Sequence, residues 1–207
     1  MVNDIVSIGL SIDGGYYSKI NESLRRDLKM EIKIERLIEY IRGKVSQMTG
    51  VGMADCQVTE GHYFRGRFRA REENRKQILM RERAFEDTLI ENDIIFHYKH
   101  LREINNEDGT TTLIEKGVDV WFALETYELA QFRDFDFVVL IAGDADHEML
   151  AKKLKALKVN VILLTWNLGK TASTSPKLKE EVCHHIELKD ECIADAQLLQ
   201  WLCRSVK

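Results

Sequence analysis

The chain has 207 residues, of which 44% are hydrophobic and 31% charged, and a formal net charge of −4. That length fits one domain of generous size, able to bury roughly 70% of its unfolded surface, so neither a disulfide nor a metal is needed for folding. No apolar run approaches the roughly 18 residues of a membrane helix, the N-terminus lacks the basic and apolar regions of a signal peptide, and four scattered cysteines without an export signal point to reduced thiols in the cytoplasm.

In chain order, residues 6–12 read as a short buried strand that ends at Asp13-Gly14-Gly15. Apolar positions across 23–41 recur at near-helical spacing and predict one or two helices. A second strand is expected over 55–64 and a strongly charged helix over 69–91. Residues 94–102 and 110–115 flank Asn105-Asn106-Glu107-Asp108-Gly109, a hairpin signal closed by Asp-Gly. A helix follows over 117–132. The run FVVLIA at 137–142 has the continuous apolar character of a strand covered on both faces. Then come a helix over 146–157, a buried strand over 160–165, a helix near Lys177, a short strand over 185–188 and a helix over 193–204. Strands alternating with helices imply βαβ units, hence an α/β fold with a central, mainly parallel sheet flanked by helices. In such sheets, sites form at the carboxyl ends of the strands.

Three aspartates sit just after apolar strands: Asp13, Asp144 and Asp146. One Asp after Gly143 is explained by helix capping. A second, two positions on, adds repulsion, since two charges about 4 Å apart interact by roughly 4 kcal/mol at an effective dielectric of 20. Such a cluster persists when a cation neutralises it or a carboxyl keeps its proton. Hard oxygen donors of this kind suit Mg²⁺ or Mn²⁺. Asp119, in the apolar segment GVDVWF at 117–122, is either a helix cap or a group pointing into a polar site.

Three segments, SIDGGYY at 11–17, KGVDVWFALE at 116–125 and VVLIAGDADHEMLAKKLKALKVNVILL at 138–164, together resemble the NYN-domain family, including its LabA-like members. The resemblance implies a PIN-like three-layer α/β fold in a single domain over 1–207, with no motif matched in the middle part, about 20–115. It also implies Mg²⁺- or Mn²⁺-dependent ribonuclease activity with Asp13, Asp119, Asp144 and Asp146 as acidic ligands. The chain departs from the family pattern in carrying Tyr16 in place of Asn, Ala142 in place of Ser and His147 in place of Phe.

Weaker signals surround this constellation. The basic stretch over 65–83 offers Arg65, Arg67 and Arg69 as contacts to an RNA backbone, against the plainer reading of a solvated charged face. His147 and Lys170 are further candidates for RNA contact. Leu168-Gly169-Lys170-Thr171 is not a P-loop, because Leu164 stands where its first glycine belongs. Cys183-His184-His185 and Cys192 lack any C-x-x-C pair and read as ordinary packing. Two readings of function follow. One is a metal-dependent endoribonuclease; the other is a PIN-like module that grips RNA or a partner protein without turnover. A Toprim-type nuclease or phosphatase also suits a strand followed by Asp-x-Asp, but would want Glu where this chain has Asp13. Homo-oligomerisation is left open by the sequence.

Overall fold

The computed structural model describes residues 5–69, 76–106, 110–169 and 174–206. Its centre is a six-stranded sheet built from β1 (Val6–Asp13), β3 (Cys56–Arg67), β4 (Ile94–His100), β7 (Phe137–Ile141), β8 (Asn160–Thr165) and β9 (His184–Glu187), in the order β4-β3-β1-β7-β8-β9. Every pairing in it is parallel. From β1 the chain builds outward to β3 and β4, then returns to the other side of β1 and builds outward again through β7, β8 and β9. The reversal falls between β1 and β7, which is where an open α/β sheet leaves a crevice at its carboxyl edge.

Strand parity sorts the core into two layers. Val139 and Ile141 of β7, with Ile162 and Leu164 of β8, face a cluster formed with α1 (Gly14–Leu28), α2 (Ile34–Thr49), Leu89 of α3 (Lys76–Glu91), α7 (Leu188–Ala194) and α8 (Ala196–Leu202). Val138, Leu140, Val161 and Leu163 face the other side, against α4 (Val118–Phe132), α5 (Glu148–Ala156) and α6 (Pro176–Glu181). Both faces of β7 and β8 are therefore covered, and these strands read as unbroken apolar runs. β1 is asymmetric. Val6, Ile8, Leu10 and Ile12 enter the first layer, leaving Ser7, Gly9, Ser11 and Asp13 on the face toward α4. The α/β architecture with a parallel sheet flanked by helices is as expected.

Three local expectations change. The segment 94–102 is split after His100. β4 joins the main sheet beside β3, and only β5 (Arg102–Asn105) pairs antiparallel with β6 (Thr111–Ile114). Pairing with β3 satisfies the backbone of β4, so the hairpin is confined to the outer residues. The span 23–41 contains a three-residue strand, β2 (Met30–Ile32), between two helices; it pairs with β10 (Cys203–Ser205). Glu31, buried in β2, is gripped by Arg25 and Arg204, which ties the C-terminal strand to the first helix. The last predicted helix breaks at Asp195, whose carboxylate accepts the Gln197 and Leu198 N–H groups and starts a new helix.

Phe122 of α4 is fully buried and meets the rings of Phe64 at 5.3 Å and His147 at 4.6 Å. Phe122→Ala is expected to cost about 3–5 kcal/mol through lost burial and the cavity left behind, read as a lower denaturation midpoint at unchanged m-value in urea.

Candidate active site

The register of β1 on β7 pairs Ile12 with Ile141, so both strands end at the same level of the sheet. Asp13 closes β1 and accepts the Tyr16 N–H at 3.0 Å, acting as N-cap of α1. Ala142-Gly143 leads from β7 to Asp144, which accepts the Asp146 N–H at 3.2 Å and caps a 3₁₀ turn, Ala145–His147. Asp119 lies in the first turn of α4, where a carboxylate meets the positive end of the helix dipole. A hydrogen bond of 2.8 Å from Thr126 Oγ1 to Ser11 Oγ fastens α4 to β1 two residues before Asp13. As a result, Asp13, Asp119 and His147 each offer a ligand atom, all within 4.8 Å of one another. Asp144 and Asp146 stand beside this trio, both exposed, and their charges act on His147.

The scaffold under the site is tightly built. A Cβ on Gly14 would lie 2.5 Å from Tyr63 Cζ and 2.7 Å from the Phe64 carbonyl oxygen, so only glycine allows α1 to start so close to β3. A Cβ on Gly143 would lie 2.6 Å from Tyr16 Cε2. The Tyr16 hydroxyl donates to the Trp166 carbonyl at 3.0 Å and accepts the Trp166 N–H at 2.9 Å. Tyr16 is thus a buried strut between α1 and the end of β8. Ala142, the second departure, is fully buried in the layer beneath α4 and α5.

Electrostatically, the site is under tension. Burial pushes the Asp13 carboxyl up from 3.8 to about 6, the Tyr16 N–H opposes that rise, and the negative charge of Asp119 adds to it. Burial lowers the basicity of His147, while Asp119, Asp144 and Asp146 pull in the other direction without overcoming it. His147 has no exposed surface, and neither ring nitrogen has a hydrogen-bond partner among the described residues. Named from the sequence as a candidate for RNA contact, it lies buried beside the carboxylates of Asp13 and Asp119. A sequence signal for this exists. His147, Leu150, Ala151 and Leu154 recur at i, i+3, i+4 and i+7, and all four are buried.

Glu115, not anticipated from the sequence, also belongs here. It accepts the Gly66 N–H at 2.7 Å and lies within electrostatic reach of Asp13, Asp119 and Arg65. It directly precedes the KGVD segment, and its approach to β3 depends on a contact across 49 residues.

The arginines of β3 are placed differently from the expectation. Arg65 and Arg67 do share a sheet face, but it is the face covered by α3. Arg67 pairs with Glu86 at 3.0 Å and Glu82 at 3.6 Å and lies over the Tyr98 ring at 5.0 Å. Arg65 is half-buried and bonded to the Tyr63 hydroxyl. Of the three arginines, Arg69 alone is exposed, just past the strand end. Lys170 lies outside the described residues. His97 stacks on Phe64 at 4.5 Å and meets His62, a packing role, while the exposed His185 contacts the Thr165 hydroxyl at 2.8 Å.

The donor chemistry fits a divalent cation. Anionic oxygens from two elements crowd together, Asp13 is destabilised as an anion, and a buried imidazole has unused nitrogens. Asp13, Asp119 and His147 are the residues best placed to hold it, with Asp144, Asp146 and Glu115 around them. An open parallel sheet with an acidic cluster at its switch point defines an α/β protein of PIN-like fold. The chain belongs to the NYN-domain family, whose model matches residues 7–189, running through the middle segment as well as the three motif regions. NYN domains are nuclease-type domains of that fold. No curated protein and no solved structure gave a match. Among the described residues no helix is long and apolar enough to cross a membrane.

A pH dependence follows from Asp13. Its folded-state pKa lies above the unfolded value, so between 3.8 and about 6 the folded protein holds a proton that the unfolded chain releases. Stability from this group is present at low pH and lost as pH rises through about 6. In EDTA, Asp13→Asn, which keeps the helix cap, is expected to remove that slope from urea melts taken across this window.

Proposed function

We propose that the protein is a metal-dependent endoribonuclease that cleaves RNA phosphodiester bonds with Mg²⁺ or Mn²⁺ at the Asp13–Asp119–Asp144–Asp146 cluster. What carries this reading is the convergence of Asp13, Asp119 and His147 within 4.8 Å at the sheet's switch point, in a NYN fold. A cation bound there supplies Lewis acidity toward a phosphate oxygen and lowers the pKa of the attacking water. The chain's own residues do the remainder. Asp13 and Asp119 provide the negative field that concentrates the cation, from two elements that the Ser11–Thr126 bond holds in register. The Asp144 cap keeps its turn in one conformation beside them. Tyr16 and Gly143 fix the floor of the crevice, so substrate approaches from the open side of Asp119, Asp144 and Asp146. No side chain is needed as nucleophile.

Incubation of the protein with a mixed RNA pool in Mn²⁺, Mg²⁺ or EDTA, followed by sequencing of cleaved ends, is expected to give metal-dependent internal cuts. Binding without cuts in any metal would instead support the non-catalytic module. Asp119→Asn and Asp144→Asn are expected to lower cleavage by on the order of a hundredfold or more. Lewis-acid stabilisation is worth several kcal/mol, and each 1.4 kcal/mol is about tenfold.

For RNA contact outside the cluster, Arg69, just past the end of β3, is the arginine in position. Arg69→Ala is expected to weaken RNA binding and to flatten the log–log salt dependence by roughly 0.7, as for one lost phosphate contact on a single strand. Arg67→Ala is expected to act on stability instead, by on the order of 1–3 kcal/mol, because Glu86 loses its paired cation and Glu82 one of the two that face it. Filter-binding titrations at several salt concentrations and urea melts separate the two effects.

A further inference from the structure

We propose that His147 is a direct nitrogen ligand of the cation held by Asp13 and Asp119, and that this donor makes the site select Mn²⁺ over Mg²⁺. The inference rests on the metal-site reading above and deepens it.

The imidazole is fully buried, and both of its nitrogens lack a hydrogen-bond partner among the described residues. A neutral imidazole carries one N–H donor and one lone-pair acceptor, and leaving a buried polar atom unpaired costs about 1–3 kcal/mol. Packing alone does not account for the residue. Phe122 lies against one side of the ring at 4.6 Å, an environment that an apolar side chain would fill without that cost. The ring is aimed at the acids: one nitrogen lies within 4.8 Å of a carboxylate oxygen of Asp13 and of Asp119. Two ligands on opposite sides of one ion at about 2.1 Å stand roughly 4.2 Å apart, so this spacing needs only small side-chain adjustments to close on a single ion.

Donor type then decides the metal. Mg²⁺ takes oxygen donors at near-ideal octahedral geometry and gives up its waters reluctantly. Imidazole nitrogen favours first-row transition ions, whereas carboxylates suit Mg²⁺ and Mn²⁺ alike. Two carboxylates with one imidazole keep the site hard enough for Mn²⁺ while removing the advantage that an all-oxygen set would give Mg²⁺.

The test uses the full chain stripped with EDTA, titrated separately with Mn²⁺ and Mg²⁺ by calorimetry, beside His147→Phe and His147→Gln. The wild type is expected to bind Mn²⁺ more tightly than Mg²⁺. Both variants are expected to lose about 10- to 100-fold in Mn²⁺ affinity, the range seen when even an outer-sphere partner is removed, with Mg²⁺ affinity nearly unchanged. Pulsed EPR of the Mn²⁺-loaded wild type should show nitrogen modulation that the variants lack, a readout independent of activity and available from the wild type even when a variant folds poorly. Equal affinities for the two metals with no nitrogen coupling would overturn the role of His147 and leave the nuclease reading standing. Absence of any divalent binding in the wild type, or binding unaffected by Asp13→Asn, would overturn both.

Discussion

Parallel pairing of β1 with β7 is the constraint on which the site depends. Because Ile12 sits opposite Ile141, Asp13 and the Gly143-Asp144 turn emerge at one edge, on either side of the point where the chain's winding reverses. Nothing in the local chemistry of either segment favours this approach, since each brings negative charge. The hydrophobic contacts of β1, β7 and β8, covered on both sides, supply the driving force. The carboxylates are carried into proximity by apolar residues outside the cluster.

Once there, the acids are held apart from one another's consequences by structure of a different kind. Asp13 and Asp144 each accept a backbone N–H at a helical start, which fixes their orientation. Ser11 and Thr126 lock α4, and with it Asp119, to β1. Tyr16 spans to Trp166 with two hydrogen bonds through one hydroxyl. The Ser11–Thr126 and Tyr16–Trp166 contacts join neutral groups, so they add no charge to the cluster. The elevated pKa of Asp13 is the residue of a conflict that the scaffold withstands but does not remove.

Sheet parity explains the division of labour between acidic and basic residues. Asp13 lies on the α4 side of β1, with Ser11 and Gly9, while Arg65 and Arg67 lie on the α3 side of β3, with Tyr63. Charge on the second side is neutralised inside the protein by Glu82 and Glu86. Of the three arginines, only Arg69, past the end of β3, is left exposed.

The α/β class, the buried strands at 137–142 and 160–165, and the three strand-end aspartates were legible in the sequence, because they rest on local periodicity and on residue types with few other uses. The family resemblance brought Asp119 into the same set. Elements whose identity depends on a distant partner were not legible. β4 is a sheet strand because β3 pairs with it, and β2 is a strand because β10 returns to it across about 170 residues. The same holds within the site. Glu115 joins it through the Gly66 N–H, and His147 joins it because α4 and α5 close over the ring, although its helical spacing with Leu150, Ala151 and Leu154 already marked it as inward-facing. The alternation of Arg65 and Arg67 told which residues share a face, but only tertiary structure decided that α3 covers that face. Periodicity reports which side chains point together; what they point at is set by packing between elements far apart in the chain.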